Sequence, residues 1–264
     1  MPDSCDFTFH GHHIREFGAA FLPDRWPGAA ATAVNDAAVS GRHGTLRYPG
    51  ETFGEKILSG RLYLLTPDES PLSYADMLAR AEAVCGWLKT AGRAPLILDA
   101  APERLYMAEV KGAISFSTEE WPSGCADVAF TLQPFAYARR EAFESLTLSP
   151  GQARSVSLYV PGNLPAPLLL TLEASGPISA LRVRADGQVL AFEGLGLDAG
   201  GLLRVAAPLE TGEIMTCEAG GGSGMCRITA QSAVPFWLRP GLRRMEVEGD
   251  GDGRVRVGVR GRWV

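Results

Sequence analysis

Hydrophobic and polar positions alternate with period two along much of this chain, and such alternation marks half-buried β-strands. From Lys56 to Leu65, the residues Ile57, Ser59, Arg61, Tyr63 and Leu65 share one face. From Asp127 to Phe135, Val128, Phe130 and Leu132 share one face and Ala129, Thr131 and Gln133 the other. Strands are also expected over Pro95–Leu98 and Arg104–Phe116. Near the start, Phe7–Phe9 and His13–Phe17 predict a hairpin that turns at Gly11. Trp26 to Gly44 breaks the pattern. It is Ala-rich and weakly periodic, with bends at Pro27-Gly28 and Ser40-Gly41, and reads as an extended arm or a long hairpin leaving the domain body.

A single stretch, Tyr74 to Ala91, has a strong helical period. Ser73 is its expected N-cap, with Asp76 near the positive end of the helix dipole. Met77, Leu78, Ala81, Val84, Cys85 and Leu88 fall at the i, i+3, i+4, i+7 spacing of one buried face, and Gly92 stands where a C-cap belongs.

Ala138 to Glu144 has no apolar period and carries Arg139, Arg140, Glu141 and Glu144, so the domain boundary is placed there. Beyond it the helical signal vanishes. Short strands are expected at Leu168–Leu172, Ile178–Arg184, Val189–Phe192, Leu202–Ala206, Glu213–Cys217, Cys226–Ala230, Arg243–Glu248 and Arg254–Val264. In the last, Val255, Val257, Val259 and Trp263 lie on one face, opposite Arg254, Arg256, Arg260 and Arg262. About eight short strands with Gly-rich turns make a β-sandwich or jelly roll.

Composition supports this picture. Gly (31) and Pro (18) make up about a fifth of 264 residues, which means many turns, and the 46% hydrophobic content excludes a disordered chain. The net charge of −5 argues against a duplex-binding protein. Basic residues are 22 Arg and 3 Lys, and together with abundant Ala and Gly this fits a GC-rich coding sequence. Five cysteines without CxxC spacing are too few for a disulfide scaffold, so reduced thiols are expected; a Cys217–Cys226 bridge across one hairpin is the alternative. Met1 to Phe9 has no basic and no apolar leader region, so no signal peptide is expected. No apolar run approaches the ~20 residues of a membrane helix.

Candidate chemistry is sparse. His10, His12 and His13 cluster, but no Cys, Asp or Glu at ligand spacing completes a zinc set. Glu248, Asp250 and Asp252 with Gly253 begin like a calcium loop, yet Val259 occupies the position of the bidentate Glu. Gly194, Gly196, Gly200 and the Gly220–Gly224 run precede no helix and lack a GKS or GKT, so they read as hairpin loops rather than phosphate loops. Ser223 lacks the second Gly of a nucleophile elbow. Glu119-Glu120 beside Trp121 would point to opposite faces of a strand and so cannot flank one glycosidic bond. Trp26, Trp121 and Trp237 are candidates for a carbohydrate platform, with Trp237 expected in the core. From 239 to 264, seven Arg face four acids, which suits a solvated sheet face or an inter-subunit contact. No catalytic, metal or cofactor constellation emerges, and binding or assembly is the expected role.

The order of these elements resembles the siphophage distal tail (Dit) family. Its carriers are Phe7-Thr8-Phe9-His10-Gly11 and Glu16-Phe17-Gly18, Gly41-Arg42-His43-Gly44, the helix end Cys85-Gly86-Trp87-Leu88, Tyr106-Met107-Ala108, and Val128-Ala129-Phe130 leading to Gln133-Pro134-Phe135-Ala136-Tyr137. The C-terminal carriers are Pro161-Gly162-Asn163-Leu164-Pro165-Ala166-Pro167 and Leu238-Arg239-Pro240-Gly241. Leu242 stands where the family often has Asn. The resemblance implies a mainly β protein. Residues 1–138 would be a β-sandwich or barrel-like ring-forming domain with one helix and an inter-subunit arm over about 26–44, including Trp26, Pro27, Val34 and Arg42. Residues 144–264 would be a galectin-like or jelly-roll β-sandwich. It further implies a non-enzymatic hexameric ring in the virion of a phage, prophage or tail-like particle, made in the cytoplasm of the bacterial host. The ring would join the tail tube protein to tail-tip or receptor-binding proteins and let DNA pass without specific binding or membrane insertion. A carbohydrate-binding module for host glycans is the alternative reading.

Overall fold

The structure is a computed structural model that describes residues 5–33, 36–38, 45–47, 52–66, 72–89, 92–117, 124–209 and 214–264. The chain is mainly β and divides into two compact units, Met1–Ala136 and Tyr137–Trp263. The division falls inside the long strand Cys125–Ala138.

The first unit is built on a sheet in the order His12–His13, Phe7–Phe9, Ala94–Leu98, Arg104–Val110, Cys125–Ala138, Lys56–Leu64, Ala19–Pro23. The opening hairpin pairs Thr8 with His13 and Phe9 with His12 around His10-Gly11. Both turn residues have positive φ (50° and 84°), as the two-residue turn matching strand twist requires. The expected strand over His13–Phe17 is instead a 3-10 turn, Ile14–Phe17. A capping box explains it. The His13 ring accepts from the Arg15 N–H, and the Glu16 carboxylate accepts from the His13 N–H at 2.9 Å.

On the strand Lys56–Leu64, the buried face is Lys56, Leu58, Gly60, Leu62 and Leu64, while Ile57 lies exposed. The helix spans Tyr74–Lys89. Its Ser73 cap accepts from the Asp76 N–H at 3.1 Å and donates to the Asp76 carboxylate at 2.6 Å. The buried face is Met77, Ala81, Val84, Trp87 and Leu88. Leu78 is exposed, so the apolar stripe is rotated toward Trp87 relative to the sequence expectation. Trp87 is the reason. Its ring stacks on Phe17 at 4.4 Å and on Phe7 at 5.7 Å, and its Nε1–H donates to the Phe9 carbonyl at 3.1 Å. Phe7 in turn meets Phe21 and Phe130 edge-on at 5.3 and 5.2 Å. The first core is thus an aromatic cluster that draws on three strands and closes under one helix.

The second unit is a sandwich. One sheet runs Ala142–Leu148, Gly253–Val259, Ala166–Ala174, Leu202–Ala206, Thr216–Ala219, Gly222–Ser223; the other runs Arg154–Val160, Gly241–Gly249, Leu181–Ala185, Gln188–Phe192. Leu158, Leu170, Leu172, Val183, Phe192, Leu203, Val205, Met245, Val247, Val255 and Val257 form one continuous core. Three expectations are corrected here. The segment read as a boundary turns at once into the strand Ala142–Leu148, paired residue for residue with Val259–Gly253. Arg154–Val160, for which no strand was expected, is a strand too. Cys226–Ala230 is not a strand, because a 3-10 turn covers Met225–Arg227.

Arg262 is also placed differently from its expected solvent face. It is 8% exposed, its guanidinium lies 5.0 Å from the Trp237 ring centre, and Nη1 donates to the Pro165 carbonyl at 3.1 Å. The Arg262 carbonyl accepts from the N–H groups of Asn163 and Leu164. Gly162 sits at φ 110°, where a Cβ would lie 2.0 Å from the Arg262 oxygen. The Pro161–Pro167 segment is therefore a clasp around the penultimate strand residue.

Candidate functional site

The titratable groups near the N-terminus are absorbed by local structure. His12 Nδ1 lies 2.9 Å from the Glu16 carboxylate and His13 Nε2 lies 3.1 Å from that of Asp99. The His13 backbone N–H and the His12 ring hold the Glu16 carboxyl below its ordinary range. Buried Asp6 accepts from the Arg15 guanidinium and, at 3.1 Å, from the Phe21 N–H. Among the described residues, no group of three or more His, Cys, Asp or Glu could hold a metal ion. Burial raises the thiols of Cys5 and Cys85, which makes them poor nucleophiles. The Cys226 side chain of the alternative bridge lies outside the described residues, as do Glu119, Glu120 and Trp121.

The Gly-rich loops serve the sandwich. Asp250 Oδ1 accepts from the N–H groups of Ser179 and Ala180, both at 2.9 Å, so the calcium-like loop is tied to a neighbouring segment by its own carboxylate. Gly220 and Gly221 turn a hairpin whose ladder pairs Glu218 with Ser223.

Two surfaces have the character of contact sites. The first belongs to the N-terminal unit. Thr32–Ala33 pairs with Thr52–Phe53, and Asp36–Ala38 pairs with Thr45–Arg47, so the expected arm is one hairpin whose return limb reaches Phe53. Its ladders are separate from the body sheet, and its base is fastened by the Gly54 N–H to the Ala31 carbonyl and by Phe53 against Phe135 at 5.2 Å. Trp26 (57% exposed) and the half-buried Pro27 lead into it. Val34 and Arg42 lie outside the described residues. Leu22 and Ile57 are exposed on the adjoining strands Ala19–Pro23 and Lys56–Leu64.

The second surface is the outer face of the first sheet of the sandwich. Cross-strand register aligns Ser145, Arg256, Thr171, Arg204 and Glu218 in one row, and Thr147, Arg254, Glu173 and Leu202 in the next. Phe143 lies flat beside the first row because Gly258 has no side chain; a Cβ there would meet the ring at 2.2 Å. The Arg256 guanidinium stacks on that ring, 3.7 Å from its centre. Phe143, Ser145, Thr171, Glu173, Arg254 and Arg256 line a shallow depression of about 490 Å³. The sequence reading found the Arg alternation but missed Phe143, which lies in the segment taken as a boundary. The alternation of Phe143 with Ser145 and Thr147 is the signal that could have placed it.

No protein-family model matches the chain, and no curated protein matches it by sequence. Solved structures do. The Dit protein of phage SPP1, described as a paradigm of the hub adsorption apparatus in phages infecting Gram-positive bacteria, aligns with a TM-score of 0.66 at 14% identity. That alignment covers 97% of this chain and 98% of the other. A chain from the baseplate of phage P2, in its activated conformation with Ca, aligns with a TM-score of 0.51 at 8% identity over 97% of both chains. From end to end, the chain has the fold of a phage distal tail protein.

Proposed function

We propose that this chain is a structural hub of a phage-type baseplate, a distal tail protein without enzymatic activity. The observation that carries the reading is the two-way coverage of the SPP1 Dit alignment, 97% and 98%, which takes in both units in the same order. Six copies close head-to-tail into a ring through the N-terminal unit. A heterologous contact of this kind needs two different patches on each copy. The hairpin from Thr32 to Phe53 with Trp26 is one, and the exposed Leu22 and Ile57 are candidates for the other. The ring joins the tail tube protein to tail-tip or receptor-binding proteins in the virion. Residues 1–136 hold 11 Lys and Arg against 17 Asp and Glu, a surplus of acid that suits a channel through which DNA slides without sticking. The sandwich is the outward module of the ring.

Mass in solution tests this. Light scattering on the full chain is expected to give about 169 kDa, six times 28.1 kDa, with rings by negative stain. A monomer at every concentration would overturn the reading. Trp26→Ala is expected to shift the population toward smaller species.

A further inference from the structure

The two outer faces of the sandwich treat their arginines differently. On the second sheet, Arg184 lies 3.6 Å from Glu246 and 3.8 Å from Glu248, and Arg244 donates to the Ser155 hydroxyl at 3.1 Å. Those are the contacts of an ordinary solvated face. On the first sheet, among the described residues, no acid lies within ion-pair distance of Arg204, Arg254 or Arg256. Glu173 stands in register with Arg254, and Glu218 with Arg204, yet neither closes a bridge. Three guanidiniums thus keep their N–H forks free on a face that could have neutralised them.

We infer that this face binds an acidic, hydroxyl-bearing polymer of the cell surface, a saccharide or polyol chain with a phosphate or carboxylate on each repeat. The occupant follows from the chemistry of the rows. A guanidinium stacked on an aromatic ring is held flat, and its edge still offers two parallel N–H donors to an anionic oxygen pair. Arg256 on Phe143 is in that state. Arg254 is two residues along the same strand, roughly 7 Å away, and Arg204 is two strands across, roughly 10 Å away. Separations of that size suit anionic groups repeated along a chain better than a single ion. Between the arginines stand acceptors and hydroxyls, Glu173, Thr171 and Ser145, which suit the hydroxyls of a sugar or polyol. An acidic polypeptide or a nucleic acid would satisfy the arginines but would set its own charge against Glu173 with fewer hydroxyls to offer. The inference rests on the outward placement of the sandwich proposed above.

The test uses the intact protein on immobilised polymers: poly(glycerol phosphate), polygalacturonate, neutral dextran, poly-glutamate and a single-stranded oligonucleotide. One of the first two is expected to bind at least tenfold more tightly than the other three, and which one binds identifies phosphate or carboxylate as the anion. Arg256→Gln and Arg254→Gln are each expected to weaken that binding several-fold, and Phe143→Ala to weaken it through Arg256, while Arg184→Gln on the other sheet leaves it unchanged. Equal binding to dextran, to poly-glutamate or to the oligonucleotide overturns the inference. So does an equal loss from Arg184→Gln, or no binding to any polymer. The polymer panel on the unmutated protein decides the question even if a variant fails to fold. A ring by mass with a silent panel refutes this inference alone, and a monomer refutes the hub reading separately.

Discussion

Trp87 offers the sharpest test of how the first unit holds together. It is 6% exposed, sandwiched between Phe7 and Phe17, with its Nε1–H on the Phe9 carbonyl. Trp87→Phe keeps a ring in the stack but removes the hydrogen bond, a loss of about 1 kcal/mol. It also removes roughly 40 Å² of buried ring, about another 1 kcal/mol at 25 cal/mol per Å². The expected cost is therefore about 2 kcal/mol. Trp87→Ala removes the stack as well and is expected to cost about 3–5 kcal/mol. For a unit of this size, 1 kcal/mol moves the midpoint by roughly 3–5 °C, so Trp87→Phe should lower it by about 6–10 °C. Differential scanning calorimetry on the full chain reads this, with near-UV circular dichroism reporting the aromatic cluster. A Phe variant within about 0.5 kcal/mol of the parent would refute the role of the hydrogen bond and the fit of the indole. A Phe variant as damaged as the Ala variant would refute the stack.

Lys56 is buried beside the Tyr106 ring, with its ammonium 5.9 Å from the ring centre, and burial lowers its pKa from the ordinary 10.5. Below the folded pKa both states carry the proton and the fold bears the full cost; as pH rises toward 10.5 the folded state releases the proton first and the cost fades. Lys56→Met is expected to be about 1–2 kcal/mol more stable at pH 7, by urea unfolding, with the advantage shrinking toward alkaline pH. Burial raises the pKa of Tyr106, which acts in the opposite sense, so the difference between variant and parent is the quantity to follow. Gly86 lies in the helix with open space where a Cβ would stand, and Gly86→Ala should stabilise by about 0.5–1 kcal/mol in the same assay. Gly162→Ala should destabilise by at least about 2 kcal/mol, from its positive φ and the collision with the Arg262 carbonyl; a neutral result would refute the clasp.

The legible parts of this fold were those written in local pattern. The alternation on Lys56–Leu64 and Gly253–Val259 and the Ser73 cap each depend on neighbours a few residues away. What stayed hidden depends on partners far along the chain. Arg262 looks solvent-facing by alternation, but Trp237, Pro165 and the Pro161–Leu164 backbone enclose it. Leu78 and Trp87 compete for the same helix, and only the aromatic cluster from Phe7, Phe17 and Phe130 decides which turns inward. The strand Ala142–Leu148 shows why the boundary looked featureless. It is an edge strand, with only Leu148 fully buried, and such a strand carries little hydrophobic signal. The Phe143–Arg256 stack went unseen for the same reason.

That stack also limits what net charge can say. The overall −5 divides unevenly, with a deficit of six in residues 1–136 and 14 basic against 13 acidic residues in 137–264. Charges separated by more than about 8 Å are largely screened at physiological salt, so an anion on a sheet face responds to the charges of that face. On the first sheet of the sandwich these are Arg254, Arg256 and Arg204 against Glu173 and Glu218. The acidic balance is therefore an argument about a DNA channel built from the first unit and not about the sandwich. The same chain can let one polyanion slide through its ring domain and hold another on its outer sheet, because the guanidiniums that would grip are confined to one face and the surplus acid is carried by the other unit.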